Sequence, residues 1–145
     1  MPLLADNPAW HTEFLAGVGY THHETNAAAF VDFVGPARPL ARGFLLSPMF
    51  SVGAVGPTSS LGPEYDKTVW VAAGGARIWF GRGFFGSFQV AATGPITPSL
   101  SSHYQFVSSG GWGNGHFVLT LRHISNASFS GTNYGETMLM AGVAF

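Results

Sequence analysis

At 145 residues the chain is one domain in length, but only 9% of it is charged and its net charge is −1, where soluble domains carry roughly 25% charged residues. That balance excludes the basic footprint of a nucleic-acid binder. The absence of cysteine excludes a disulfide framework, a thiolate metal site and a thiol nucleophile. Glycine reaches 20 residues, proline 9 and phenylalanine 13, and mean hydropathy is positive at +0.23. From Gly83 to Leu121 there is no Asp, Glu, Lys or Arg. A soluble surface is hard to assemble from such a stretch, and its Gly, Ser and Pro residues leave no apolar 20-mer for a membrane helix. A closed barrel remains, because in lipid every backbone N–H and C=O must be paired internally. Met1–Asp6 has neither a basic start nor an apolar run, so an exported protein would be present here in mature form.

Eight alternating stretches follow one another between turn clusters: roughly His11–His23, Ala27–Val34, Gly43–Val55, Lys67–Phe80, Phe84–Thr93, His103–Gly111, His116–Ser125 and Glu136–Phe145. The expected fold is therefore all-β, a single domain over 1–145 forming an eight-stranded antiparallel transmembrane β-barrel. In the first strand Phe14, Ala16, Val18 and Tyr20 alternate with Leu15, Gly17, Gly19 and Thr21. In the fifth, Phe84, Phe88 and Val90 alternate with Phe85, Ser87 and Gln89. One face is bulky and the other small or polar, the reverse of a soluble lipocalin-like barrel. Connections at 56–66, 94–102 and 126–135 are long, whereas 81–83 and 112–115 are tight, which matches the long outer loops and short periplasmic turns of outer-membrane barrels. Gly35–Arg42, with two prolines, is longer than that rule predicts. Trp10, Trp70, Trp79 and Trp112 read as interfacial aromatics, and Phe145 ends the last strand as outer-membrane barrels commonly do.

The seventh strand carries the chemistry. Side chains at i and i+2 of a strand share a face, so Phe117, Leu119, Leu121, His123 and Ser125 line one wall, while Val118, Thr120, Arg122 and Ile124 point into the barrel. With the turn at 112–115 on the periplasmic side, His123 and Ser125 fall near the outer-leaflet boundary, facing lipid. A base and a hydroxyl there cost free energy and call for a reason. Side by side, they suit nucleophilic attack on an ester, the imidazole taking the serine proton.

His123-Ile-Ser-Asn-Ala127, followed by Asn133-Tyr-Gly135 and a terminal strand, resembles the PagL-type lipid A 3-O-deacylases of the Gram-negative outer membrane, also called acyloxyacyl hydrolases. The resemblance covers length, strand rhythm and the C-terminal third. It implies a metal-independent, cofactor-free serine esterase that cleaves an acyl chain from lipid A of lipopolysaccharide among outer-membrane lipids. It assigns Ser125 as nucleophile, His123 as general base and then acid, and Asn126 with the backbone N–H of Ser128 as the oxyanion hole. Two departures stand out. The family has glycine where this chain has Ser128. Its triad acid falls two residues after the glycine of Asn-x-Gly, which is Thr137 here, with Glu136 one residue early. Counting back from an outward Phe145 puts Thr137 outward and Glu136 inward, so Glu136 completes the triad only if a bulge or the loop end of the strand turns it outward.

Other motifs read blandly. Neighbours in a strand face opposite ways, so His22-His23-Glu24 marks a polar strand end rather than a metal site. Gly110–Gly115 lacks the lysine and the helix of a phosphate-binding loop and reads as a turn. The competing function is a non-catalytic barrel, a structural or adhesion scaffold or a relative that lost its acid. A channel is disfavoured because side chains fill an eight-stranded interior. The sequence leaves open whether the barrel forms a homodimer.

Overall fold

The structure, a computed structural model, describes residues 4–6, 8–21, 24–57, 67–97, 100, 102–126 and 135–145. After a 3-10 turn at Leu4–Asp6 come β1 (His11–Thr21), β2 (Glu24–Val34), β3 (Arg38–Ala41), β4 (Phe44–Val55), β5 (Val69–Phe80), β6 (Phe84–Gly94), β7 (Tyr104–Gly113), β8 (Phe117–Ser125) and β9 (Glu136–Ala144). The sheet runs β2-β1-β9-β8-β7-β6-β5-β4-β3, and pairing of β2 with β4 closes it. Eight strands thus form a closed antiparallel barrel, and β3 is an addition to it. The chain ends meet: Thr12 and Phe145 exchange backbone hydrogen bonds of 2.9 and 2.8 Å. Among the described residues no helix is long and apolar enough to cross a membrane.

The expected strands are all present, with one correction. Gly35–Arg42, expected as one long connection, contains a ninth strand, β3. The β2–β4 register ends at Val34 opposite Met49, whereas β4 begins at Phe44, so the start of β4 extends beyond its neighbour. β3 folds back onto this bare edge, pairing Arg38 with Leu46 and Ala41 with Phe44, with a register shift after Pro39. An exposed edge strand tolerates a proline, which has no N–H for the ladder.

Alternation holds around the barrel. Phe14, Val18, Phe50, Val52, Phe88, Val90, Leu119, Leu121 and Leu139 are exposed, while Leu15, Phe30, Met49, Phe85, Val107, Ile124 and Met140 fill the interior. Exposed Tyr20, Trp70 and Tyr104 mark the end with the longer connections, and Trp112, Phe117 and Phe145 the end with the tight turns. Such a barrel, apolar outside and banded by aromatics, is compatible with an outer-membrane protein. Trp79 corrects the interfacial reading of all four tryptophans. It is 3% exposed and inward, donating from Nε1 to Ser47 Oγ at 3.0 Å and meeting the Phe85 ring edge-on at 5.5 Å. Trp70 and Trp79 lie on one strand an odd number of residues apart, so they take opposite faces.

Charge inside the barrel is paired. Arg77 donates to both Glu13 oxygens at 2.6 and 2.9 Å, and Arg122 to both Asp32 oxygens at 3.1 and 2.6 Å. The pairs approach each other where Arg77 Nη2 lies 3.7 Å from Asp32 Oδ2. His11 Nε2 lies 2.9 Å from Glu13 Oε1, and Arg122 Nε donates to Ser109 Oγ at 2.9 Å. Glu13, Asp32, Arg77 and Arg122 are all 0% exposed. Two-pronged arginine–carboxylate pairing gives each of these four buried charges a partner of fixed geometry. The network ties β1, β2, β5 and β8 together across the lumen.

Candidate active site

The hairpin joining β7 to β8 sets the site's register. Asn114 Oδ1 accepts from the backbone N–H of His116 at 2.7 Å and of Phe117 at 2.8 Å, fixing the turn. Pairing then runs without interruption from Gly113–Val118 up to Phe106–Ser125, which puts Ser108 opposite His123. On the other side β9 runs unbroken from Phe117–Val143 to Ile124–Glu136 and puts Thr137 opposite His123. Tyr20 of β1 in turn faces Thr137. One row across the outer wall therefore reads Tyr20, Thr137, His123, Ser108, with Ser125 one step nearer the loop end.

Elsewhere this wall is overwhelmingly apolar, and among the described residues of the barrel strands His123 is the one outward imidazole. It is exposed, Ser125 half-buried. As i and i+2 neighbours in an extended chain, their Cα atoms are about 6.6 Å apart. His123 Nδ1 lies 2.8 Å from Thr137 Oγ1. The opposite edge of the ring lies over Gly135, the residue just before β9, whose register with β8 ends at Ile124–Glu136. A Cβ on Gly135 would sit 2.8 Å from Cε1 and 3.2 Å from Nε2, and its φ of +70° is a left-handed conformation that favours glycine. The ring is thus held on one edge and closely packed on the other, with Nε2 toward the loop end. Among the described residues Ser125 Oγ makes no hydrogen bond to this ring; bonds of that kind commonly tighten only once substrate is bound.

Two of the expected partners face the other way. With no bulge in the β8–β9 register, Glu136 keeps its inward parity: it is 4% exposed and accepts from Asn26 Nδ2 at 3.2 Å. Thr21 Oγ1 donates to the Gly135 carbonyl at 2.8 Å, bracing the same strand start. The carboxylate expected to orient His123 is therefore in the lumen, and Thr137 meets the imidazole instead. Asn126 is also turned inward, 0% exposed, donating from Nδ2 to Ser102 Oγ at 2.9 Å, so its side-chain amide is not an outward oxyanion donor. Ser128 lies outside the described residues, as do His22, His23 and the Asn133-Tyr134 pair. His123 and Ser125 lie two residues apart on one face of β8. Ser108 and the role of Thr137 escaped sequence reasoning, although strand parity already placed Thr137 outward.

Apolar surface surrounds the cluster. Phe106, opposite Ser125, stacks on Phe88 with ring centres 5.9 Å apart. Phe88 is the next outward residue beyond Ser108 along the His123 row. It borders a groove of about 520 Å³ whose floor includes Ala76 and Gly86 and whose wall includes Ile78. A larger outward depression of about 1000 Å³, lined by Ala16, Ala29, Ala54 and Trp70 among others, takes no residue from β7 or β8, so size alone does not locate the chemistry. Among the described residues no group of three or more His, Cys, Asp or Glu side chains is placed to hold a metal ion.

No family model matches this chain, and no curated protein and no solved structure is significantly similar to it.

Proposed function

We propose that this protein is a serine esterase of the bacterial outer membrane that hydrolyses an ester-linked acyl chain of lipid A. The observation that carries the reading is a base and a hydroxyl, His123 and Ser125, side by side at the loop end of an otherwise apolar outward wall. An ester carbonyl at the boundary between headgroup and acyl chain would meet this pair. Its chain would run along the wall toward Phe88, two strands and about 10 Å away, and into the groove over Gly86 and Ala76 beyond it. The resemblance of His123-Ile-Ser-Asn-Ala127 to lipid A deacylases gives the substrate class.

In this reading Nε2 of His123 takes the Ser125 proton as Oγ bonds to the ester carbonyl carbon, and the carbonyl electron pair moves onto oxygen. Backbone N–H groups following Ser125 stabilise that oxyanion, since the Asn126 side chain is directed elsewhere. Collapse breaks the bond to the sugar oxygen, which leaves with the proton from Nε2. Water, deprotonated by the same nitrogen, then releases the fatty acid and restores Ser125.

The test is mass spectrometry of lipid A incubated with the purified barrel in detergent. Loss of one ester-linked acyl chain is expected, and Ser125→Ala and His123→Ala should each reduce it about a thousandfold or more while leaving the heat-modifiable gel shift of a folded barrel intact. A loss of two- or threefold for Ser125→Ala would refute the nucleophile assignment. The inward Glu136 favours a second reading, a non-catalytic barrel that has lost its acid. Lipid A that stays fully acylated with the wild-type protein would select that reading.

A further inference from the structure

We propose that Thr137 is the positioning residue of the site: it accepts a hydrogen bond from Nδ1–H of His123 and so keeps Nε2 unprotonated and aimed toward Ser125. The proposal rests on the esterase reading for its purpose, but its physical content is the state of one ring.

An imidazole is useful as a base toward Ser125 only if the nitrogen on that side carries a lone pair, and in the neutral ring one nitrogen is then a donor. The two tautomers differ in what the surroundings offer. Nδ1 lies 2.8 Å from Thr137 Oγ1, a hydroxyl oxygen with lone pairs to accept a proton donor. Nε2 lies over Gly135, and among the described residues no hydrogen bond reaches it. A proton on Nδ1 is thus satisfied, whereas one on Nε2 would have no described acceptor.

Geometry reinforces the choice. Thr137 is β-branched, and such side chains have restricted χ1 freedom. It sits directly across from His123 in an unbroken register, so Oγ1 is presented by two paired strands rather than by a loop. Gly135 closes the other edge, leaving the ring little room to flip. Together these contacts supply the orientation that a carboxylate gives in a serine–histidine–acid triad, without its negative charge. With Glu136 across the sheet in the lumen, the imidazolium formed during attack is met, among the described residues, by the neutral dipole of Thr137. Proton removal is therefore directed but weakly driven.

The experiment measures the ring before it measures turnover. In a Ser125→Ala background, which separates the ring's state from catalysis, the 15N spectrum of His123 in detergent at alkaline pH should show Nδ1 as the protonated nitrogen. Adding Thr137→Val, which keeps the shape and removes the acceptor, should abolish that preference, and Thr137→Ser should restore it. In the Ser125-containing enzyme, Thr137→Val should lower kcat for lipid A deacylation about 10- to 100-fold with little change in KM, Thr137→Ser should recover most of it, and Thr137→Glu should exceed the wild type. An Nε2-protonated ring, or a Thr137→Val protein whose ring and kcat are both unchanged, would overturn the assignment. A correctly polarised ring in a protein that leaves lipid A intact would instead uphold Thr137 and remove the esterase reading.

Discussion

The lumen and the outer wall of β7–β9 treat polar groups in opposite ways. Inside, two arginines and two carboxylates are 0% exposed and locked in two-pronged pairs, with His11 and Ser109 as further partners. Outside, among the described residues, the one hydrogen-bond partner of His123 is the neutral Thr137, and Ser125 and Ser108 stand beside it on an apolar surface. Leaving a buried charge without a counter-charge is costly, and each of the four in the lumen has one, although Arg77 Nε and His11 Nδ1 are buried with no hydrogen-bond partner among the described residues. Chemistry needs groups whose bonding capacity is not exhausted. Under the proposed function the first region serves stability and the second reactivity, so damage to one should leave the other's property largely intact.

The largest stability effect should come from the lumen. Arg122→Met strands Asp32 beside Arg77 at 3.7 Å and should cost about 3–5 kcal/mol in urea unfolding from detergent or vesicles. Deacylation per folded barrel should remain near wild type. Combining it with Asp32→Leu should recover most of the loss, because a pair replaced by apolar groups leaves no lone charge. If single and double variants are equally unstable, pairing is not what the lumen provides.

Gly135→Ala crosses the boundary between the two regions. It forces a side chain into a left-handed backbone and toward Cε1 of His123 at 2.8 Å. A stability cost of about 1–3 kcal/mol is expected from calorimetry. Turnover should fall about tenfold or more, since a small displacement of the imidazole spoils its aim. Unchanged turnover would mean the ring does not need that seat. The smallest effect is predicted for Glu136→Gln: with its carboxylate on the lumen side, deacylation should stay within about twofold of wild type, read as kcat. A severe loss would return Glu136 to the site.

Much of this was legible in the sequence because strand parity is a local rule. Phe117 to Ser125 alternates without interruption, so the wall that carries His123 could be read directly, as could Arg122 on the other face. Parity also placed Glu136 inward and Thr137 outward. What parity cannot provide is which side chain of the neighbouring strand lies opposite. Ser108 stands across from His123 because Asn114 fixes the hairpin turn, a detail of backbone geometry rather than of pattern. That β4 begins beyond the reach of β2, and that β3 covers the overhang, depend on the relative lengths and register of three successive strands, which alternation does not fix. Trp79 was misread for a different reason: its size suggested a membrane boundary, but its parity with Trp70 already required the opposite face.

The lumen network also says something about the order of events as the chain folds. His123 and Thr137 are 14 residues apart, whereas Arg77 reaches back 64 residues to Glu13 and Arg122 reaches back 90 to Asp32. Short-range contacts close small loops and form early, and long-range ones wait on closure of the whole ring. The β7–β9 meander can therefore set His123, Ser108 and Thr137 in register before the barrel is shut, and the arginine–carboxylate pairs then act as its clasp. In a time-resolved refolding experiment, protection of the amides paired between β8 and β9 should precede protection of those paired between β1 and β9, where Glu13 meets Ala144 and the seam closes last.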